Sequence, residues 1–250
     1  MKISGNTILI TGGASGIGLA LAERFVQAGN TVIICGRRAD KLQELKERYP
    51  DIHTVACDLS VESHRLELFR KVTSEFPGLN VIINNAGIQQ RVHLLEAEKE
   101  WEYYRQEISI NVDAPIHLTL LFMPHLLKQP DPVIINVTSG LSITPGAWVP
   151  IYSSTKAALH SFTVSLRIQL AQTNAKVIEV LPPAVNTDLG GAGLHTFGAP
   201  LDEFADSVFR DLQTGKEEIG YGGTEERLHL SAIQARETAA RMYDGFRSGT

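Results

Sequence analysis

Long hydrophobic runs are missing from this chain. The longest candidate, residues 118–127, is broken by Pro124 and His125, well short of the ~20 apolar residues that cross a bilayer. A membrane-spanning segment is therefore not expected. The amino terminus lacks a secretion pattern: Ile8-Leu9-Ile10 is a short apolar run that leads into glycines without a cleavage motif, so the cytoplasm is the expected compartment. Clustered positive charge is missing too. The net charge is −5 and no Lys/Arg-rich run occurs, which argues against a nucleic-acid partner. Cysteine is nearly absent. Cys35 and Cys57 each fall at the end of an expected strand and read as buried thiols, not as a disulfide. The eight histidines form no HxxxH pattern and there is no CxxC, so no metal site is expected.

What the chain does have is regular alternation. With 250 residues, 43% of them hydrophobic and 20% charged, it has material for a sizeable core. Short β-branched runs predict strands at 7–10, 31–35, 53–57, 81–83, 133–137 and 176–181. Between them, amphipathic periodicity predicts helices at 16–28, 40–49, 61–76, about 100–127 and 152–172. Such alternation predicts a parallel sheet with helices on both faces, a three-layer α/β/α fold of the Rossmann type. No repeat, low-complexity tract or linker divides residues 1–250, so one domain is expected. Beyond residue 188 the character changes. Gly190-Gly191-Ala192-Gly193 and scattered apolar residues suit either a lid over a site, about 188–205, or an irregular surface loop. Helices are expected at 202–212 and within 224–243.

Three local patterns carry chemistry. The first strand runs into Thr11-Gly12-Gly13-Ala14-Ser15-Gly16-Ile17-Gly18 and then a helix. A tight glycine turn before a helix exposes backbone N–H groups that receive an anion such as a pyrophosphate. The second strand ends in Cys35-Gly36-Arg37-Arg38, with no acid to take an adenosine ribose 2′-hydroxyl. The two guanidiniums either pair a 2′-phosphate or sit solvated at the head of a charged helix. The missing acid is the more telling half, and it favours NADPH over NADH. Third, Tyr152 and Lys156 are four residues apart at the start of a helix, so they share a face. A cation beside a phenol lowers its pKa and suits it to general acid–base work. An aromatic edge beside a solvated charge has the same spacing.

Taken together these motifs resemble the short-chain dehydrogenase/reductase family in its compact single-domain branch, over residues 7–188. The glycine motif TGxxxGIG corresponds to residues 11–18, with Gly12, Ser15, Gly16, Ile17 and Gly18 toward the cofactor. The adenine-contacting acid corresponds to Asp58. The NNAG stretch corresponds to Asn84-Asn85-Ala86-Gly87, and YxxxK to Tyr152 and Lys156. Ser139, thirteen residues ahead of Tyr152, matches the catalytic serine, and Asn111 matches the helix-embedded asparagine of the catalytic tetrad. After the sixth strand the chain reads Pro182-Pro183-Ala184-Val185-Asn186-Thr187, where the family has Pro-Gly and then a Thr. Pro183 fixes φ and removes an N–H, while Thr187 is kept for the nicotinamide carboxamide, near Pro182 and Val185. Pro-Pro-Ala together with Glu217-Glu218-Ile219-Gly220-Tyr221-Gly222 looks like a DltE-like branch of oxidoreductases.

The resemblance implies hydride transfer between NADPH and a ketone or secondary alcohol. Tyr152 serves as proton donor, Ser139 holds the carbonyl oxygen, Lys156 lowers the Tyr152 pKa and holds the nicotinamide ribose, and Asn111 fixes a water. The segments expected to border the substrate, 141–149 and 189–204, are mostly apolar, with Arg91, His93 and His195 as the nearby ionisable residues. A neutral, moderately apolar substrate follows. Pairing through the helices at 100–127 and 152–172 is expected to give a homodimer or homotetramer. A non-catalytic NADPH sensor on the same scaffold has no need of an intact Ser139–Tyr152–Lys156 set. A nucleotide-sugar epimerase generally has a longer chain and a different glycine spacing.

Overall fold

The computed structural model describes residues 1–248. Its strands are almost uninterrupted β-branched and apolar sequence: β1 (Thr7–Thr11), β2 (Thr31–Gly36), β3 (Ile52–Ala56), β4 (Val81–Asn84), β5 (Val133–Val137), β6 (Lys176–Leu181) and the short β7 (Glu218–Gly220). Strands of that composition need cover on both faces, and the alternation of their side chains supplies two cores. Ile8, Ile10, Val32 and Ile34 point to one side, where α1 (Gly16–Gln27), α2 (Ala39–Arg48) and α7 (Leu201–Thr214) contribute Phe25, Leu42 and Phe204. Leu9, Ile33, Ile82 and Ile134 point to the other. There α3 (Glu62–Glu75), α5 (Ala114–Leu126) and α6 (Pro150–Leu170) contribute Leu68, Phe122 and Leu166. Each such buried aliphatic or aromatic side chain stabilises the fold by roughly 1.5–3 kcal/mol.

The seven strands are all parallel in the order β3-β2-β1-β4-β5-β6-β7. The order reverses between β1 and β4, and the crevice beyond the carboxyl ends of those strands is where this architecture receives ligands.

Three elements depart from the sequence expectation. The helix expected over 100–127 is interrupted: α4 (Trp101–Ile108) passes through a π-helical turn at Ser109–Asp113 before α5 continues. Widened turns of this kind concentrate at functional sites, and this one carries Asn111. The strand β7 was not anticipated, because three residues between glycine-rich turns give too little alternation to read. The expected lid loses its last residues to α7, which starts at Leu201, and Val185 bridges Ala199 at its base. After β7 come α8 (Thr224–Arg227) and α9 (Ala232–Ser248). Among the described residues no helix is long and apolar enough to cross a membrane.

Candidate active site

The glycine turn and the segment after β4 are built against each other. The Thr11 hydroxyl accepts hydrogen bonds from the amides of Asn85 and Ala86, both at 3.0 Å, and Asn85 Nδ2 donates to the Thr11 carbonyl at 2.9 Å. Gly12 has φ +65°, and a Cβ there would meet the Ala86 Cα at 2.9 Å. At Gly18 a Cβ would come within 2.4 Å of Asn85 Nδ2 and 2.6 Å of the Gly12 carbonyl oxygen. Glycine is thus required by close packing as well as by the turn. Ser15 precedes α1 in extended conformation and makes no side-chain cap bond, and the first turn of α1 has no acid. The N-terminal amides of Gly16, Ile17 and Gly18 thus have no carboxylate in the first turn of their helix to compete for them, which fits an anionic pyrophosphate. Thr187 sits over this turn, its Cγ2 3.4 Å from where a Gly16 Cβ would stand.

At the adenosine end, Arg37 and Arg38 are both exposed, and Arg38 Nη2 donates to the Ser15 hydroxyl at 3.4 Å. One guanidinium is thereby tied to the glycine turn at the edge of the cleft. Asp58 accepts from the amide and hydroxyl of Ser60, at 2.9 and 2.7 Å, so it does form the turn into α3. Partial burial pushes its carboxyl up, but the Ser60 bonds, Arg37 and His64 outweigh that and hold it below its ordinary value. Asn84 is a strand residue buried against Asn136 of β5, at 2.8 Å, and does not belong to the loop.

The catalytic candidates converge at the carboxyl ends of β4 and β5. Three hydroxyls cluster after β5, and the structure separates them. Thr138 donates to Glu179 Oε1 at 2.6 Å in the interior, and Ser142 donates to the Ser139 carbonyl at 2.6 Å. Ser139, whose Oγ accepts from the Leu141 amide at 3.1 Å, is the one whose side chain acts on the Tyr152 phenol. Ser139, Tyr152 and Lys156 are all buried. Lys156 Nζ donates to the Val137 carbonyl at 2.8 Å and stands 5.6 Å from the centre of the Tyr152 ring. Burial raises the Tyr152 pKa well above its ordinary value; Ser139 pulls against this and the Glu107 carboxylate adds to it. Burial lowers Lys156 to about 8, with Glu107 opposing. The sequence expectation of a phenol brought down by its neighbouring cation is thus not how this site is balanced, because desolvation is the largest influence on both groups.

Asn111 occupies the π turn and is buried. Its Oδ1 accepts from the Ile88 amide at 2.9 Å, while its Nδ2 donates to the Ile88 carbonyl at 2.9 Å and to the Thr155 hydroxyl at 3.1 Å. The side chain therefore clamps the loop after Gly87 onto α6. A Cβ on Gly87 would lie 3.3 Å from Asn111 Oδ1 and 3.5 Å from Lys156 Nζ, so these two groups meet across that glycine.

Several participants escaped the sequence reading. Glu107, one helical turn before Asn111, is fully buried, and its spacing from Asn111 was the available signal. Thr224 donates to the Leu181 carbonyl at 2.6 Å, and Arg227 Nη1 donates to the Thr144 hydroxyl at 2.7 Å, so α8 braces the segment that carries Ser139. A cavity of about 570 Å³ lies between residues 141–147 and α9, lined also by Ser153, Ser154 and Ala157. This cavity is bordered by residues of 141–147 and of α9, and none of 189–204 lines it. Of the three ionisable residues flagged there, Arg91 and His93 are exposed and His195 is half-buried.

A parallel sheet whose strand order reverses beside a glycine-lined turn, with Ser139, Tyr152 and Lys156 buried beyond it, accords with the oxidoreductases of the short-chain dehydrogenase family, to which this chain belongs; the family model "short chain dehydrogenase" matches residues 6–195. The chain is 46% identical over 249 residues to the "Uncharacterized oxidoreductase DltE" of Bacillus subtilis, covering 98% of this chain and 97% of that one. Among solved structures it is similar to a short chain dehydrogenase from Burkholderia cenocepacia in complex with NADP. That match has a TM-score of 0.82 and 26% identity, over 97% of this chain and 99% of that one. It is also similar to a 3-ketoacyl-(acyl-carrier-protein) reductase from Brucella melitensis complexed with NADH, with a TM-score of 0.79 and 25% identity over 89% and 98% of the two chains.

Proposed function

We propose that this protein is an NADPH-preferring reductase of ketones, or in reverse a dehydrogenase of secondary alcohols, with Asn111, Ser139, Tyr152 and Lys156 as its catalytic set. The observation that carries this reading is the placement of the buried Ser139, Tyr152 and Lys156 beside the turn after β4: a Cβ on Gly87 would lie 3.5 Å from Lys156 Nζ, which stands 5.6 Å from the centre of the Tyr152 ring. When bound, the nicotinamide cofactor supplies or accepts the hydride. Gly12, Ser15, Gly16, Ile17 and Gly18 hold its pyrophosphate, Asp58, Asn85, Ala86 and Gly87 line its adenine and ribose side, and Pro182, Val185 and Thr187 border its nicotinamide end.

The remaining chemistry belongs to the side chains. Ser139 donates a hydrogen bond to the carbonyl oxygen as negative charge develops there. Tyr152 gives that oxygen its proton. A phenol is protonated at neutral pH, as the donor of that proton must be. Lys156 returns a proton toward Tyr152 through a water that Asn111 would hold in place. At the far end, Arg37 and Arg38 supply a cationic edge where NADP carries its extra phosphate, with Arg38 already joined to Ser15.

The apolar character of segment 141–149 supports a neutral, moderately apolar substrate. Following NADPH consumption against matched neutral and anionic ketones, with NADH in parallel, tests the whole reading. Faster turnover of neutral ketones and a kcat/KM that favours NADPH are expected. Turnover restricted to anionic substrates contradicts the substrate class, and a clear NADH preference contradicts the roles of Arg37 and Arg38.

A further inference from the structure

Glu107 is a carboxylate with no exposed surface in the last turn of α4. Its Oε1 accepts from the Gln90 amide at 3.0 Å, and its Oε2 is buried with no hydrogen-bond partner. A sealed carboxylate is costly unless a charge of opposite sign is near. The surroundings supply one. α4 packs on α6, from which Lys156 and Tyr152 are the titratable groups that interact with Glu107. Charged groups of the neighbouring elements are engaged elsewhere: Arg91 with Phe246, His93 with Glu96, Arg105 with Glu102, His117 with Arg65, His160 with Glu179 and Arg167 with Glu218, while Asp113 is exposed. Lys156 is equally sealed, with Nζ bonded to a neutral carbonyl.

We propose that Glu107 is a positioning residue that acts through Lys156: its carboxylate is the internal counter-charge that keeps the Lys156 ammonium charged inside the site. The proposal rests on Lys156 being the cation of the proton relay. Glu107 also fastens the Gln90 amide one turn from where Asn111 fastens Ile88, so charge and loop position are set by one helix face.

The titration of each partner supports the coupling. Burial pushes Glu107 up to about 7 and brings Lys156 down to about 8, and each group opposes the other's shift. Neutralising Glu107 removes the influence that holds Lys156 up, so Lys156 then loses its proton at lower pH. By reciprocity, removing the Lys156 charge raises Glu107.

The test uses full-length, cofactor-free protein labelled with nitrogen-15 lysine, with the Lys156 signal assigned by its loss in Lys156→Met. In Glu107→Gln the Lys156 midpoint should fall by roughly one pH unit. In Lys156→Met the Glu107 carboxyl, followed by carbon-13, should rise above its wild-type midpoint. With NADPH and a ketone, the alkaline limb of kcat/KM should move to lower pH in Glu107→Gln, which a merely structural defect would not produce. If Glu107→Gln does not fold, the Lys156→Met titration decides. Midpoints that stay in place overturn the proposal. Because the titrations need no turnover, a wild-type protein that reduces no ketone refutes the reductase reading and leaves this coupling standing.

Discussion

At Gly18 a single methyl group decides between a cleft and a clash. A Cβ would stand 2.4 Å from Asn85 Nδ2 and 2.6 Å from the Gly12 oxygen, one of them backbone, so neither neighbour can yield without moving the turn. Gly18→Ala should destabilise the fold by about 1–3 kcal/mol and weaken NADPH binding. Denaturant unfolding and cofactor titration would show it, and an unchanged affinity would mean that the turn is not the cofactor cradle. The same scale shows what single side chains do unseen. Thr138, Ser139 and Ser142 look interchangeable in the sequence; hydrogen bonding spends Thr138 on Glu179 and Ser142 on backbone, and leaves Ser139 to act on Tyr152.

Between β6 and α6 the sheet buries a charge. Glu179 has no exposed surface and is held by His160 Nδ1 at 2.9 Å and by the Thr138 hydroxyl. The Glu179 hydrogen bond raises the His160 pKa above 6.5 against the burial that lowers it. A raised folded-state value means the stabilisation is fully present below ~6.5 and is lost as pH climbs through the folded value. Urea midpoints should therefore fall with rising pH in the neutral to mildly alkaline range. His160→Gln should be less stable near pH ~6 and should flatten that dependence; parallel pH curves for the two proteins would rule the pair out as its source. Elements of this kind mark the boundary of what the sequence reveals. Strands β1 to β6 were legible because β-branched runs covered on both faces have a composition of their own, and the helices because their apolar stripes repeat. Residues 109–113 give no sign of a π turn, since the widening depends on what α4 and α5 pack against. The placement of Glu107, Thr224 and Arg227 was hidden for a similar reason: each matters through a partner distant in the chain, Lys156, Leu181 and Thr144 respectively. The motifs at Gly12–Gly18, Asn85–Gly87, Ser139, Tyr152 and Lys156 were legible because their chemistry is local.

For the whole molecule, apolar side chains left outside the core suggest an assembly. Leu120 on α5 and Ile168 on α6 are 64% and 71% exposed, on the two helices expected to pair. We propose a homodimer or homotetramer through that face. Light scattering should give a multiple of the chain mass, and Ile168→Asp should lower it. The central claim, that Tyr152 is the proton donor of an NADPH-dependent reductase, is tested most directly by one paired measurement: NADPH binding by fluorescence and NADPH consumption with a neutral ketone, in wild type and Tyr152→Phe. Loss of most of the turnover, by about 100-fold or more, with NADPH affinity nearly intact is the predicted result. Full turnover in Tyr152→Phe would contradict it.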